Sequence, residues 1–276
     1  LDTGYADGPT NMAIDEAILR GCARGEVPPT LRLYTWAPPC LSIGYFQNVR
    51  KDVNLEECRR LGIDLVRRLT GGLAVLHDRE LTYTVVVPAS HPLAVGGIID
   101  SYRRLSAGLT AGIAALGVQV EMAPQGTSPR NRATGGDLNP ESVTKTSACF
   151  ELPSDFEITV QGRKLIGSAQ TRKRGAVLQH GSILLTFDAL KTAAVLRAPS
   201  PTEDDHAALL ERRVISLREA LGRDVSYEEA ARALAHGFER ALGITLERGD
   251  LTPVERGLAD ELREAKYACA EWNLRR

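Results

Sequence analysis

The chain has 276 residues, 43% of them hydrophobic, enough for one large core or two modest ones. Its 34 Lys and Arg nearly balance 35 Asp and Glu, for a formal net charge of -1, so the basic excess of a nucleic-acid binder is missing. No apolar run approaches the ~20 residues of a membrane helix, and the opening Leu1-Asp2-Thr3-Gly4-Tyr5 has neither a basic n-region nor an apolar h-region. The five cysteines, at 22, 40, 58, 149 and 269, are dispersed and form no CxxC pair. That argues against a structural zinc site, a redox dithiol or a disulfide framework, and reads as reduced thiols in a cytoplasmic protein.

In chain order, Thr10 is placed to cap a helix whose apolar positions Ile14, Ala17, Ile18 and Cys22 follow helical spacing, with Asp15 and Glu16 mainly on its other face. Residues 31–36 alternate as a half-buried strand that Pro38-Pro39 breaks, and Cys40 to Gly44 reads as a second short strand. Asn54 with Glu57 opens a short helix ending near Gly62. Strand-like 64–69, 74–78 and 81–87 follow, then an amphipathic helix over 98–116 that Gly117 ends, and a strand over 118–122. Residues 123–146 are rich in Pro, Gly, Ser, Thr and Asn, and read as a mobile cover over a site or as a plain solvated insertion. Strands at 156–160, 164–171 and 176–187 make an antiparallel meander, and from Asp188 onward the pattern is helical. Ser226 with Glu229, and Thr252-Pro253-Val254-Glu255, are capping boxes. The residues alone imply one α+β catalytic domain with a helical C-terminal extension.

Two constellations carry chemistry. Cys149, in Ser147-Ala148-Cys149-Phe150, follows the polar segment, and Lys164 lies fifteen positions on at the start of Lys164-Leu165-Ile166-Gly167-Ser168-Ala169. The thiolate is the nucleophile and a neighbouring ammonium stabilises it, so the pair points to acyl or thioester handling. A lone cysteine is otherwise a small buried hydrophobe. The second constellation crowds Arg67, Arg68, Gly71, Gly72, His77 and Asp78 into a dozen residues. It is either an ordinary hairpin turn or a loop that brings backbone N–H groups and a guanidinium to a carbonyl or anionic ligand. It is no Walker loop. His77 and His180 are candidate bases or, more plainly, hydrogen-bonded structural histidines. The basic runs at Arg67-Arg68 and Arg172-Lys173-Arg174 read as solvated surface.

Taken in order, Arg67-Arg68-x-x-Gly71-Gly72-x-Ala74-Val75-x-His77-Asp78, Lys164-x-x-Gly167-Ser168-Ala169 and His180-Gly181 resemble the lipoate/biotin protein ligase family. Ser147-Ala148-Cys149-Phe150, the run from Gly167 to Arg172, Gln179-His180-Gly181-Ser182 and Glu271-Trp272-Asn273-Leu274 look like its cysteine-dependent branch, the octanoyltransferases that serve the glycine cleavage system H protein. The resemblance implies a mixed, largely antiparallel sheet flanked by helices. The catalytic domain would occupy 1–250, with a core of about 28–245 and a loop at 123–146, and a helical extension at 251–276 would pack on it.

The resemblance also implies that Cys149 takes octanoate from octanoyl-acyl carrier protein as a thioester and passes it to the lysine of a lipoyl-domain protein such as H protein. Lys164 matches the family lysine that activates the thiol. Arg68, Gly71, Gly72, His77, Gly167, Ser168, Ala169, His180 and Gly181 match the family's acyl-binding walls. No metal, cofactor, nucleic acid or membrane is implied. Leu73 stands where ATP-dependent ligases of the family carry a third glycine, which favours transfer over ligation. The alternatives are an ATP-dependent lipoate-protein ligase, octanoyl transfer from H protein to other lipoyl domains, and a silent member that only binds lipoyl domains.

Overall fold

The computed structural model describes residues 1–122, 157–197 and 202–275. The expected segment 123–146 and Cys149 lie outside them. In chain order the first elements are β1 (Asp2–Ala6), α1 (Gly8–Ala23), β2 (Thr30–Trp36), β3 (Cys40–Ile43), α2 (Val49–Asp52), α3 (Leu55–Arg60), β4 (Asp64–Arg67) and β5 (Val75–His77). Then come β6 (Glu80–Pro88), α4 (Ile98–Ala115), β7 (Glu121–Met122), β8 (Ile158–Val160), β9 (Arg163–Lys173) and β10 (Ala176–Leu184). The rest is helical and includes Glu203–Arg213, Tyr227–Leu242, Pro253–Leu262 and Ala270–Asn273.

Among the described residues, seven strands form one sheet in the order β1-β2-β6-β10-β9-β8-β7, and three form a smaller sheet, β4-β3-β5. Only β1 with β2 and β3 with β4 run parallel; the other pairs are antiparallel. This is the α+β, mainly antiparallel arrangement expected, including the β8-β9-β10 meander.

The two faces of the large sheet differ in chemistry because side chains alternate along a strand. Leu81, Tyr83, Val85 and Val87 of β6, with Val177 and Ile183 of β10, pack against Leu105, Leu109 and Ile113 of α4 and Leu234 and Phe238 of helix Tyr227–Leu242. The intervening residues Glu80, Thr82, Thr84, His180 and Ser182 are also buried, in a polar layer beneath α1 and the small sheet. The run 81–87 therefore reads as an ordinary strand although one of its faces is polar and dry.

Four local expectations are corrected. Helix α1 begins earlier than Thr10 implied: Asp7 is its cap, and the Asp7 carboxylate accepts from Thr10 N at 2.7 Å, with Pro9 in the first turn. Asp15 and Glu16 do not face water but are 2% and 4% exposed, because α1 is covered on two sides. Arg32 and Tyr34 meet Asp15 from the sheet, and Lys266 and Tyr267 meet Glu16 from the C-terminal segment. For the same reason β2 is buried on both faces from Arg32 onward rather than half-buried. The strand expected over 118–122 shrinks to Glu121–Met122, the two residues that pair with β8.

Helices α4 and Tyr227–Leu242 touch through glycine. A Cβ built on Gly237 would lie 2.2 Å from Gly112 N and 2.6 Å from Gly108 O, which are backbone atoms that cannot swing away. Gly257, in helix Pro253–Leu262, has no such neighbour within 4 Å. Gly237→Ala is expected to lower stability by about 1–3 kcal/mol through overpacking. Gly257→Ala should raise it by about 0.5–1 kcal/mol through the helix backbone alone. Urea midpoints of the two variants, moving in opposite directions, check both.

Candidate active site

The loop after β4 is organised by Arg68, which is 4% exposed. Its Nη2 donates to Gly71 O at 2.9 Å and Leu73 O at 2.7 Å, curling the chain around the guanidinium, and Gly72 accommodates the turn at φ 91°. Gly44, at the end of β3, approaches so closely that a Cβ there would lie 1.9 Å from Gly72 O. The expected glycine loop is thus a close backbone packing, with Arg68 spent on loop carbonyls. The reading of Arg67-Arg68 as solvated surface is corrected, since Arg67 is 0% exposed.

Arg68 also starts two parallel hydrogen-bond chains. Its Nη1 donates to Ser42 Oγ at 3.1 Å, and Ser42 Oγ lies 2.7 Å from His77 Nε2. His77 Nδ1 lies 2.7 Å from Glu80 Oε1. In the second chain, Arg68 Nε donates to Thr70 Oγ1 at 3.1 Å, Thr70 Oγ1 lies 2.7 Å from His180 Nε2, and His180 Nδ1 lies 3.3 Å from Asp15 Oδ2. A guanidinium only donates and an ionised carboxylate only accepts, so both chains assign the same tautomer. In each, the hydroxyl donates to Nε2 and the imidazole donates from Nδ1 to the carboxylate. His77 and His180 therefore sit as oriented, hydrogen-bonded histidines. His77 also stacks on Trp36 at 4.1 Å between ring centroids.

The electrostatics follow from burial. Burial alone would raise the Asp15 carboxyl, but the hydrogen bond from His180, the charge of Arg32 and the hydrogen bond from Thr84 hold it below its ordinary value. Burial pushes the His180 imidazole down, against the opposing pull of Asp15. Arg32 Nη1 is 2.7 Å from Asp15 Oδ1, a fully buried ion pair whose remaining donors reach Asn11 and Thr3.

The β9–β10 register separates the residues expected to form the acyl wall. Gly167 pairs with Ser182 and Ala169 with His180, so these two share the polar face. Ser168 pairs with Gly181 and faces the helices, where its Oγ accepts from Tyr83 Oη at 2.8 Å. A Cβ on Gly181 would meet Gly167 O at 2.5 Å and Ser168 Oγ at 2.6 Å, so glycine is what allows the two strands and Tyr83 to close up.

Lys164 follows a turn at Gln161-Gly162, both with positive φ, yet it is 4% exposed. Its Nζ is ion-paired with Glu157, which is equally buried and just precedes β8. Glu157 is a residue the sequence reading missed; only its place on the strand before Lys164 signals it. Of the four described cysteines, Cys22, Cys40 and Cys58 are buried, and burial pushes all three thiols up, Cys58 to about 11. Cys269 is partly exposed, with Sγ donating to Glu264 O. A cavity of 520 Å³ at the Glu80 end of β6, lined by Asp78, Arg79, Glu80, Phe187 and Lys191 among others, meets the groups described above at Asp78 and Glu80. Among the described residues no cluster of three His, Cys, Asp or Glu could hold a metal ion.

The pair Asp15–His180 makes stability pH-dependent with a definite sign. The His180 proton affinity is depressed in the fold, so the unfolded chain binds that proton more readily and stability falls as pH drops through and below 6.5. Asp15 adds a further loss below 3.8, its ordinary value. Unfolding free energies measured from pH 7.5 to 5 should decline in the wild type, with a shallower slope in His180→Gln.

A model of the lipoyl protein ligase A/B catalytic domain matches residues 7–239. The octanoyltransferase LipM of Kyrpidia tusciae is 48% identical over 277 residues, covering 100% of this chain and 98% of that protein. The octanoyltransferase LipM of Bacillus subtilis is 40% identical over 278 residues, covering 100% and 97%. Among solved structures, lipoate-protein ligase A bound with ATP superposes with a TM-score of 0.76 at 30% identity over 99% of this chain and 96% of that one. A lipoate protein ligase from T. acidophilum with bound lipoic acid gives 0.74 at 29% identity over 99% and 97%. Family model, full-length relatives and superposed structures agree, and the chain belongs to the lipoyl protein ligase A/B catalytic domain family.

Proposed function

We propose that this chain is an octanoyl-[acyl carrier protein]:protein N-octanoyltransferase of lipoate biosynthesis, working through a thioester on Cys149. The full-length likeness to octanoyltransferases carries the reading. The buried Lys164–Glu157 pair on the strand leading to Gly167 supports it from the geometry. Cys149 attacks the octanoyl thioester of the carrier protein, the carrier thiol leaves with a proton, and the acyl group stays on sulfur. The ε-amine of a lysine on a lipoyl-domain protein, glycine cleavage H protein in the leading case, then attacks that thioester. An amide forms and the Cys149 thiol is restored. One thioester is exchanged for another before the amide is made, so no nucleotide or other cofactor is consumed.

Lys164 acts in this scheme as an oriented donor to the thioester carbonyl and as the cation beside the sulfur. Glu157 neutralises much of its field at a distance, so Lys164 works through direct hydrogen bonding rather than long-range charge. Glu157 is also what makes burial of the ammonium tolerable: breaking a buried ion pair from one side costs about 3–5 kcal/mol. Arg68, Gly71, Gly72, His77, Gly167, Ala169 and His180 supply the wall along which the octanoyl chain lies, with Ser168 and Gly181 setting the strand spacing behind it. Each methylene taken from water adds about 0.8 kcal/mol to donor binding. No described helix is long and apolar enough to cross a membrane, and the reading places the reaction in the cytoplasm.

The likeness to a ligase solved with ATP favours a second reading, ATP-dependent ligation of free lipoate or octanoate. Incubation with octanoyl-carrier protein and no ATP is expected to leave one octanoyl adduct on the wild type by intact mass, and none on Cys149→Ala. Lys164→Ala should load at least ~10²-fold more slowly. Transfer that persists in Cys149→Ala and demands ATP would overturn the transferase in favour of the ligase. Comparing octanoyl-carrier protein with octanoyl-H protein as donor in the same assay separates the two transferase variants.

A further inference from the structure

The basic run Arg172-Lys173-Arg174 does not merely sit in solvent. Lys173 Nζ lies 4.4 Å from the centroid of the Tyr45 ring, and the Arg275 guanidinium carbon lies 4.3 Å from the same ring. Arg275 also lies 3.8 Å over the Trp272 ring, and its Nε and Nη2 find no hydrogen-bond partner among the described residues. Arg174, at the tip of the β9–β10 turn, is exposed. None of Lys173, Arg174 and Arg275 is ion-paired with a carboxylate among the described residues, whereas other basic side chains of the molecule are. Phe46, with its ring 4.8 Å from Tyr45, is 68% exposed. Together these residues make a ledge of aromatic rings edged by unneutralised cations, on a chain whose formal net charge is -1.

The ledge adjoins the candidate site through the backbone. Tyr45 N donates to Thr70 O at 2.8 Å, and Thr70 carries the hydroxyl that meets His180. A molecule resting on Tyr45 and Phe46 therefore stands beside the glycine loop.

We propose that this ledge docks the carrier protein that presents the acyl thioester, through an acidic face of that protein. The proposal rests on the acyl-transfer reading above and adds the surface and charge by which the donor is recognised. The complementarity is specific in kind. Lys173 of the β9–β10 hairpin and Arg275 of the C-terminal segment flank the Tyr45 ring, and the exposed Phe46 lies beside it, which suits the apolar centre and charged rim of a protein interface. Three cations on a chain of balanced charge are too few for a nucleic-acid track. Arg174 is exposed and Lys173 half-buried, and charges at such a rim act mainly on encounter rate and are screened by salt.

The test compares donors that differ only in the carrier. Octanoyl-carrier protein and the small thioester octanoyl-N-acetylcysteamine are assayed with the wild type, Lys173→Glu/Arg174→Glu and Phe46→Ala. The charge reversal is expected to raise KM for the protein donor about tenfold with kcat nearly unchanged, and to leave the small thioester's kinetics as they were. Added salt should raise the wild-type KM for the protein donor and barely move that of the reversal. Equal losses with both donors, or no change with either, would overturn the ledge. If the wild type moves octanoate from no donor, the acyl-transfer reading fails on its own. The ledge is then judged by calorimetric binding of the acidic carrier protein, where loss in the charge reversal supports it and equal affinity refutes it.

Discussion

The buried guanidinium of Arg68 is the constraint around which the candidate site is built. It satisfies five acceptors at once: two loop carbonyls, the Ser42 carbonyl, and the Ser42 and Thr70 hydroxyls. Each hydroxyl then orients one histidine, and each histidine leans on one carboxylate. A cation with this many fixed donors dictates where its neighbours stand, because an unpaired donor in a dry interior is costly. The polar face of the large sheet, the small sheet and helix α1 are thereby joined through one side chain.

Among the described residues buried charge recurs, in several places as a matched pair. Arg32 is matched to Asp15, Lys164 to Glu157, and Lys266 and Tyr267 to Glu16. Such pairs contribute little net stability compared with an apolar packing of the same shape, but they hold geometry, since either partner alone is strongly unfavourable. The large sheet divides accordingly. Its helix-covered side is ordinary hydrocarbon, where Gly108, Gly112 and Gly237 let two helices meet backbone to backbone. Its other side carries the hydroxyls, histidines and carboxylates from which a site is made.

Much of this was legible in the residues, and the exceptions have physical causes. Strand positions followed from β-branched runs bounded by Gly and Pro, and the Thr252 capping box lies where the pattern put it, whereas Ser226 caps its helix alone and the Glu229 carboxylate pairs with Arg223. The resemblance in the Arg68, Gly71-Gly72, His77 and His180 motifs led to the family. Helix α1 was misread because amphipathicity assumes that one face meets water, and here Asp15 and Glu16 are met by Arg32, Lys266 and Tyr267 from elements far away in sequence. Glu157 was invisible for a related reason. A glutamate before a strand is unremarkable until the chain turns at Gln161-Gly162 and brings Lys164 back against it. Period-two alternation, applied to Gly167-Ser168-Ala169, would have separated Ser168 from its neighbours without coordinates.

Arg67 ties together two stretches of the chain that lie far apart in sequence. Its side chain holds the carbonyls of Gly44, Tyr45 and Gln47 on one side and those of Trp272, Asn273 and Arg275 on the other. Without residues 272–275 three of these six carbonyls would be missing, and the buried guanidinium would have to find other acceptors, a cost that falls on the loop bearing Gly44.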